Sequence, residues 1–143
     1  WEHLQPLLRY SAHSQGANIH IAGWSPFWET PQGILWPHHI PAEAEKMACQ
    51  FMVMEGAAFV LVCTQVLTEA NREKRKLMDS HFARAPDGGF AVIFGLDGPP
   101  LVEPIDPGDE GTLYTDIDLQ NRDFATNMID VAGHYSIPKR RSM

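Results

Sequence analysis

The chain has 143 residues, 44% hydrophobic and 20% charged, enough for one globular domain or a large part of one with a real core. Its formal net charge of −7 argues against a nucleic-acid partner, because neutralising phosphates takes clustered Lys and Arg, and its basic runs are only Arg72 to Lys76, broken by Glu73, and a tail at Lys139 to Arg141. The longest apolar run, Gly56 to Cys63, falls far short of the roughly 18 residues that suggest a membrane span.

Taken in chain order, the first predicted element is a helix over Glu2–Gln15. Pro6 lies in its first turn, Leu4, Leu7, Leu8 and Ser11 recur at helical spacing, and Gly16 closes it. Ala17 to Trp24 reads as a strand, with Ile19 and Ile21 on one face and His20 and Ala22 on the other. Residues 25–41, with Pro26, Phe27, Trp28, Pro31, Trp36 and Pro37, are too apolar for a free linker and too interrupted for an element, so a packed loop walling a pocket is expected. A second helix opens at Pro41 and ends at Gly56, its apolar stripe made by Ala44, Met47, Ala48, Phe51 and Met54.

Ala57 to Thr64 is an uninterrupted apolar strand, which indicates burial on both faces. Glu69 to Lys76 is charged and expected to be exposed. A strand at Phe90 to Gly95, a hairpin turn over Leu96 to Pro99 and a partner at Leu101 to Glu103 follow. Leu113, Thr115, Ile117 and Leu119 alternate against Tyr114, Asp116 and Asp118 as a half-buried strand would, Gln120 to Val131 reads as a short helix, and Ala132 to Ser136 as a closing extended segment. Two successive helix–strand units and no internal repeat predict an α/β fold of helices layered on sheet.

Residue chemistry alone offers four candidates. His38 and His39 are adjacent and point to different sides, and no third ligand sits at metal spacing, so a surface or loop pair is the simpler reading. Cys63 ends a strand where a nucleophile could sit, yet both it and Cys49 fit unpaired thiols of a soluble protein in the reducing cytosol. Asp116 and Asp118 share one strand face, which solvent exposure explains as well as acid–base work does. Glu2 and His3 lie at a helix start and complete the set.

The run Trp1-Glu2-His3-Leu4-Gln5-Pro6-Leu7-Leu8-Arg9-Tyr10 resembles the segment that directly follows the catalytic cysteine in nitrilases of the carbon–nitrogen hydrolase superfamily. The likeness continues through Ile19 to Phe27, Met52 to Gly56 with the Phe59 to Thr64 strand, Gly88 to Gly95, Asp97-Gly98, Tyr114 to Leu119 and Gly133-His134-Tyr135-Ser136. It implies the C-terminal half of an α-β-β-α sandwich, with residues 1–143 as part of a single hydrolase domain and 136–143 as its tail. The reaction implied is attack of a thiolate on a nitrile, giving acid and ammonia without a cofactor or metal. The Cys, Glu and Lys that carry this in the family fall outside the chain, the cysteine immediately before Trp1, so the chain alone is expected to be inactive.

By the same resemblance, Trp1 occupies the position whose backbone N–H helps hold the oxyanion, and Glu2 and His3 support it. Trp24, Ser25, Pro26, Phe27, Thr64 and Gln65 would line the pocket for a small nitrile. For Trp24 and Phe27 core packing is an equal alternative, and for Thr64 a strand-end hydrogen bond. The implied partners are the upstream part of the same enzyme and a second copy, paired through the helices Glu2–Gln15 and Ala42–Glu55. Ile137-Pro138-Lys139 departs from the family's Arg-Pro-Asp after His-Tyr-Ser, which argues against extended filaments. Two further readings stand beside the nitrilase one: a cyanide hydratase or other amide-forming relative, and a non-catalytic half-domain kept for oligomerisation.

Overall fold

The computed structural model describes residues 2–30, 32–33, 35, 37–38, 41–80 and 83–133. The sequence expectations for Trp1, Pro31, Trp36, His39, His134 to Ser136 and the tail lie outside them.

The opening helix is divided. Glu2–Leu4 is a 3-10 turn and Pro6–Ser14 the α-helix α1, because Pro6 has no N–H with which to bond back to the Glu2 carbonyl. Gly16, at φ 80°, stops α1: its N–H donates to the His13 carbonyl and that of Ala17 to the Ala12 carbonyl. The chain then runs through β1 (Ile19–Trp24), α2 (Ala42–Gly56), β2 (Phe59–Thr64), α3 (Glu69–Lys74), β3 (Val92–Phe94) and α4 (Asn121–Met128). The predicted pair of helix–strand units is present: β1 and β2 lie parallel, Ile19 opposite Phe59 and Trp24 opposite Thr64, and β3 joins β2 antiparallel.

The core forms between one sheet face and α2, from Ala22 and Trp24 of β1, Val60 and Val62 of β2, Val92 and Phe94 of β3, and Cys49, Met52 and Val53 of α2, with Phe27 from the following loop. The stripe expected on α2 is the wrong one. Glu45, Cys49, Met52, Val53 and Gly56 are buried, whereas Met47, Phe51 and Met54 are exposed. Apolar residues occupy two faces of α2, and Glu45 on the buried face disguised it. The helix also runs through Gly56, and Ala57, at φ 44°, is the residue that turns the chain.

Burial on both faces of β2 is not found. Val60 and Val62 are buried on one face; on the other Phe59 and Ile93 are buried too, but Leu61 is only partly covered, Cys63 is exposed and Ile21 beside them is 67% exposed, so the second sheet face is open around Ile21 and Cys63. The hairpin after β3 shrinks to one bridge, Phe94 to Pro100, made by the Gly95 N–H to the Pro99 carbonyl and the Leu101 N–H to the Ile93 carbonyl. Pro99 and Pro100 have no N–H to extend the ladder. Residues 112–119 form no strand, and Tyr114 is 82% exposed: alternation supplies a face, yet no strand edge pairs with the segment among the described residues.

Candidate functional site

The 3-10 turn Glu2–Leu4 is fastened to the carboxyl end of β1. The His3 ring places Nε2 3.2 Å from the Gly23 carbonyl oxygen and Nδ1 3.0 Å from His20 Nε2, and it tilts against Trp24 with ring centroids 5.2 Å apart. Arg9 of α1 donates from Nη1 to the His3 carbonyl at 3.0 Å and holds Glu55 of α2 with two bonds, Nε to Oε2 at 2.6 Å and Nη2 to Oε1 at 3.3 Å. One guanidinium thus ties the turn, α1 and α2 together, through the bidentate geometry Lys cannot offer. Glu2 stays on the surface. Its carboxyl is held below the usual carboxylate range, first by a hydrogen bond from its own backbone amide.

Beyond the strand ends lies an open cleft of about 680 Å³, where ligands of open α/β sheets are expected, outside the carboxyl ends of parallel strands. Ser25, Pro26, Thr64 and Gln65 line it together, alongside Trp28, Asn71, Arg75 and Phe90. Trp24 and Phe27 do not: both are buried in the core, ring centroids 5.8 Å apart. The Thr64 hydroxyl accepts the Phe90 N–H, the strand-end bond considered for it, and keeps a hydroxyl proton of its own to donate. The loop after β1 is pinned by the Phe27 N–H to the Gly88 carbonyl at 3.0 Å and Trp28 Nε1 to the Arg84 carbonyl at 3.1 Å.

The remaining candidates separate cleanly. Cys49 is buried, which pushes its thiol up to about 12 and keeps it protonated. Cys63 is an exposed, unpaired thiol on the second sheet face. Asp116 is exposed, and Asp118 uses Oδ1 to accept the Gln120 N–H at 2.9 Å in a turn leading into α4. His38 is exposed, and among the described residues no group of three His, Cys, Asp or Glu could hold a metal. No helix of the described residues is long and apolar enough to cross a membrane.

Sequence reasoning missed His20 and the Arg9–Glu55 pair. His20 carried a signal, a histidine on the inward face of a strand, while Arg9 and Glu55 are 46 residues apart and nothing local connects them.

Compared with known proteins, residues 1–125 match the family described as carbon–nitrogen hydrolase. A protein of Talaromyces marneffei named nitrilase is 50% identical over 145 residues, covering all of this chain and 45% of that protein. A nitrilase of Penicillium rubens is 42% identical, again over the whole chain and 44% of its own length, and a cyanide hydratase of Armillaria gallica is 38% identical over 95% of this chain and 38% of its own. The chain spans less than half the length of these relatives.

Proposed function

Because the chain belongs to the carbon–nitrogen hydrolase family, with an α/β nitrilase-type fold, we propose that it is the part of a nitrile-hydrolysing enzyme that follows the catalytic cysteine. The observation that carries this reading is the His3 turn, locked by three side chains onto the end of β1, beside a cleft lined by Ser25, Thr64 and Gln65.

In this reading a cysteine directly before Trp1 attacks the nitrile carbon. The nitrile nitrogen takes a proton to give a thioimidate, water adds, ammonia leaves, and a second water releases the acid from the acyl-enzyme. An upstream Glu and Lys supply the base and the charge stabilisation, and the Trp1 N–H the oxyanion contact. Glu2 and His3 hold the turn, and Ser25, Pro26, Thr64 and Gln65 shape the wall the substrate meets. The upstream half also covers the open patch at Ile21, Leu61 and Cys63, and a second copy of the enzyme covers Leu7, Leu8, Phe51 and Met54 on α1 and α2, all but Leu61 well exposed. Two unpaired cysteines support a reducing, cytosolic setting.

The likeness to a cyanide hydratase supports a second reading, in which water adds to the thioimidate and the cysteine thiolate, rather than ammonia, is expelled, leaving the amide. Product analysis decides: acid with one equivalent of ammonia supports the nitrilase reading, amide the second, and no turnover by the full-length gene product would leave an oligomerisation half-domain. Residues 1–143 alone should show none, since loss of a nucleophile costs on the order of 10⁶ in kcat.

A further inference from the structure

The two histidines at the turn admit only one neutral arrangement of protons. The Gly23 carbonyl can only accept, so His3 must carry its hydrogen on Nε2, 3.2 Å away. A neutral ring with Nε2–H has a bare Nδ1, and that atom lies 3.0 Å from His20 Nε2. His20 must therefore carry its own hydrogen on Nε2 and donate it. The direction of the chain is fixed from end to end: His20 to His3 to Gly23.

We propose that His20 is a positioning residue for the hydrolysis: by donating to His3 Nδ1 it holds His3 in the tautomer that can bond Gly23, and so locks the turn beside the nucleophile onto the end of β1. The inference rests on the hydrolase reading for its catalytic consequence, though not for the pairing itself.

The surroundings suit a neutral donor. His20 sits on the inward face of β1 opposite Val60, its ring in contact with His3, and the charged or titratable groups that act on it electrostatically are His3, His13 and Arg9, all from the turn and α1. Burial first, and then these three, hold its imidazole below the usual histidine range.

The test uses the full-length gene product with ¹⁵N-labelled histidine, read by long-range ¹H–¹⁵N imidazole spectra near pH 7.5, and two variants. His20→Gln keeps an N–H at nearly the same place, and His20→Phe fills the space without one. Expected are protonated Nε2 and bare Nδ1 for both histidines, the same His3 signature in His20→Gln, and a mixture of His3 tautomers in His20→Phe. The kcat for a nitrile should fall about tenfold or more in His20→Phe with KM little changed, and recover to within about threefold in His20→Gln, the scale expected of misplacing a reacting group by a fraction of an ångström.

A His3 found protonated on Nδ1, an unchanged His3 spectrum in His20→Phe, or a His20→Gln as impaired as His20→Phe would each overturn the proposal. Should His20→Phe not fold, the wild-type and His20→Gln spectra and rates still decide it. An intact tautomer signature with no nitrile turnover would refute the hydrolase reading and, with it, the catalytic role of His20.

Discussion

Replacing Gly56 by Ala tests how α1, and with it the His3 turn, is seated on α2. A Cβ built at Gly56 would lie 2.2 Å from His13 Cε1 and 2.4 Å from Nδ1, against the 3.5–4.0 Å at which non-bonded carbon atoms rest comfortably. The ring cannot swing into solvent, being 4% exposed, and its Nε2 faces Glu55 Oε2 at 3.4 Å, so α1 must shift or the ring must leave its rotamer. Overpacking of this kind costs about 1–3 kcal/mol. Helix propensity works the other way, Ala being preferred to Gly by about 1 kcal/mol in a helix interior and by less at a last residue such as Gly56. The balance is a destabilisation of about 1–2 kcal/mol, read as a lowered urea midpoint at unchanged slope in the full-length gene product. His13→Ala in the same background should relieve it, with a coupling of about 0.5–3 kcal/mol in the double-mutant cycle. A Gly56→Ala protein as stable as wild type, or more stable, would refute the packing.

Three further outcomes are expected. Glu45 is 1% exposed with no hydrogen bond to its Oε2 among the described residues, and burial raises its carboxyl above its ordinary value of 4.5. The folded state then holds the proton longer than the unfolded one, so stability is lost as pH rises from about 4.5 through the raised value; Glu45→Gln should flatten that fall in unfolding midpoints measured between pH 4 and 8. Thr64→Val removes the acceptor of the Phe90 N–H and should cost about 1–3 kcal/mol, while Thr64→Ser keeps it. Phe51→Glu, on the exposed face of α2, should reduce the sedimentation-measured oligomer of the full-length enzyme without lowering its urea midpoint; an unchanged oligomer would place the interface elsewhere.

Local signals in the sequence hold for several segments whose structure depends on themselves. Gly16 ends α1, Pro6 opens it, and the strands at Ile19–Trp24 and Phe59–Thr64 follow their β-branched composition. Signals failed where the answer lay elsewhere in space. The face of α2 that meets the sheet is set by β1 and β2, and the Glu45 it carries hid it from an apolar count. The alternation over 113–119 describes a face without naming a partner strand. Of the site, Ser25, Pro26, Thr64 and Gln65 reach the cleft because they sit at or just past strand ends, whereas Trp24 and Phe27 share that neighbourhood yet turn inward to the core. His20 and Arg9 act through contacts 17 and 46 residues distant, to His3 and Glu55, which no spacing rule detects.

The central claim, a nucleophile immediately ahead of Trp1, is tested most directly by trapping it. The full-length gene product is reacted with a nitrile, quenched in acid during turnover, digested and mapped by mass spectrometry. A thioimidate or acyl adduct on a cysteine directly preceding Trp1 is the predicted result; an adduct on Cys63 or Cys49, or nitrile turnover by residues 1–143 alone, would contradict it.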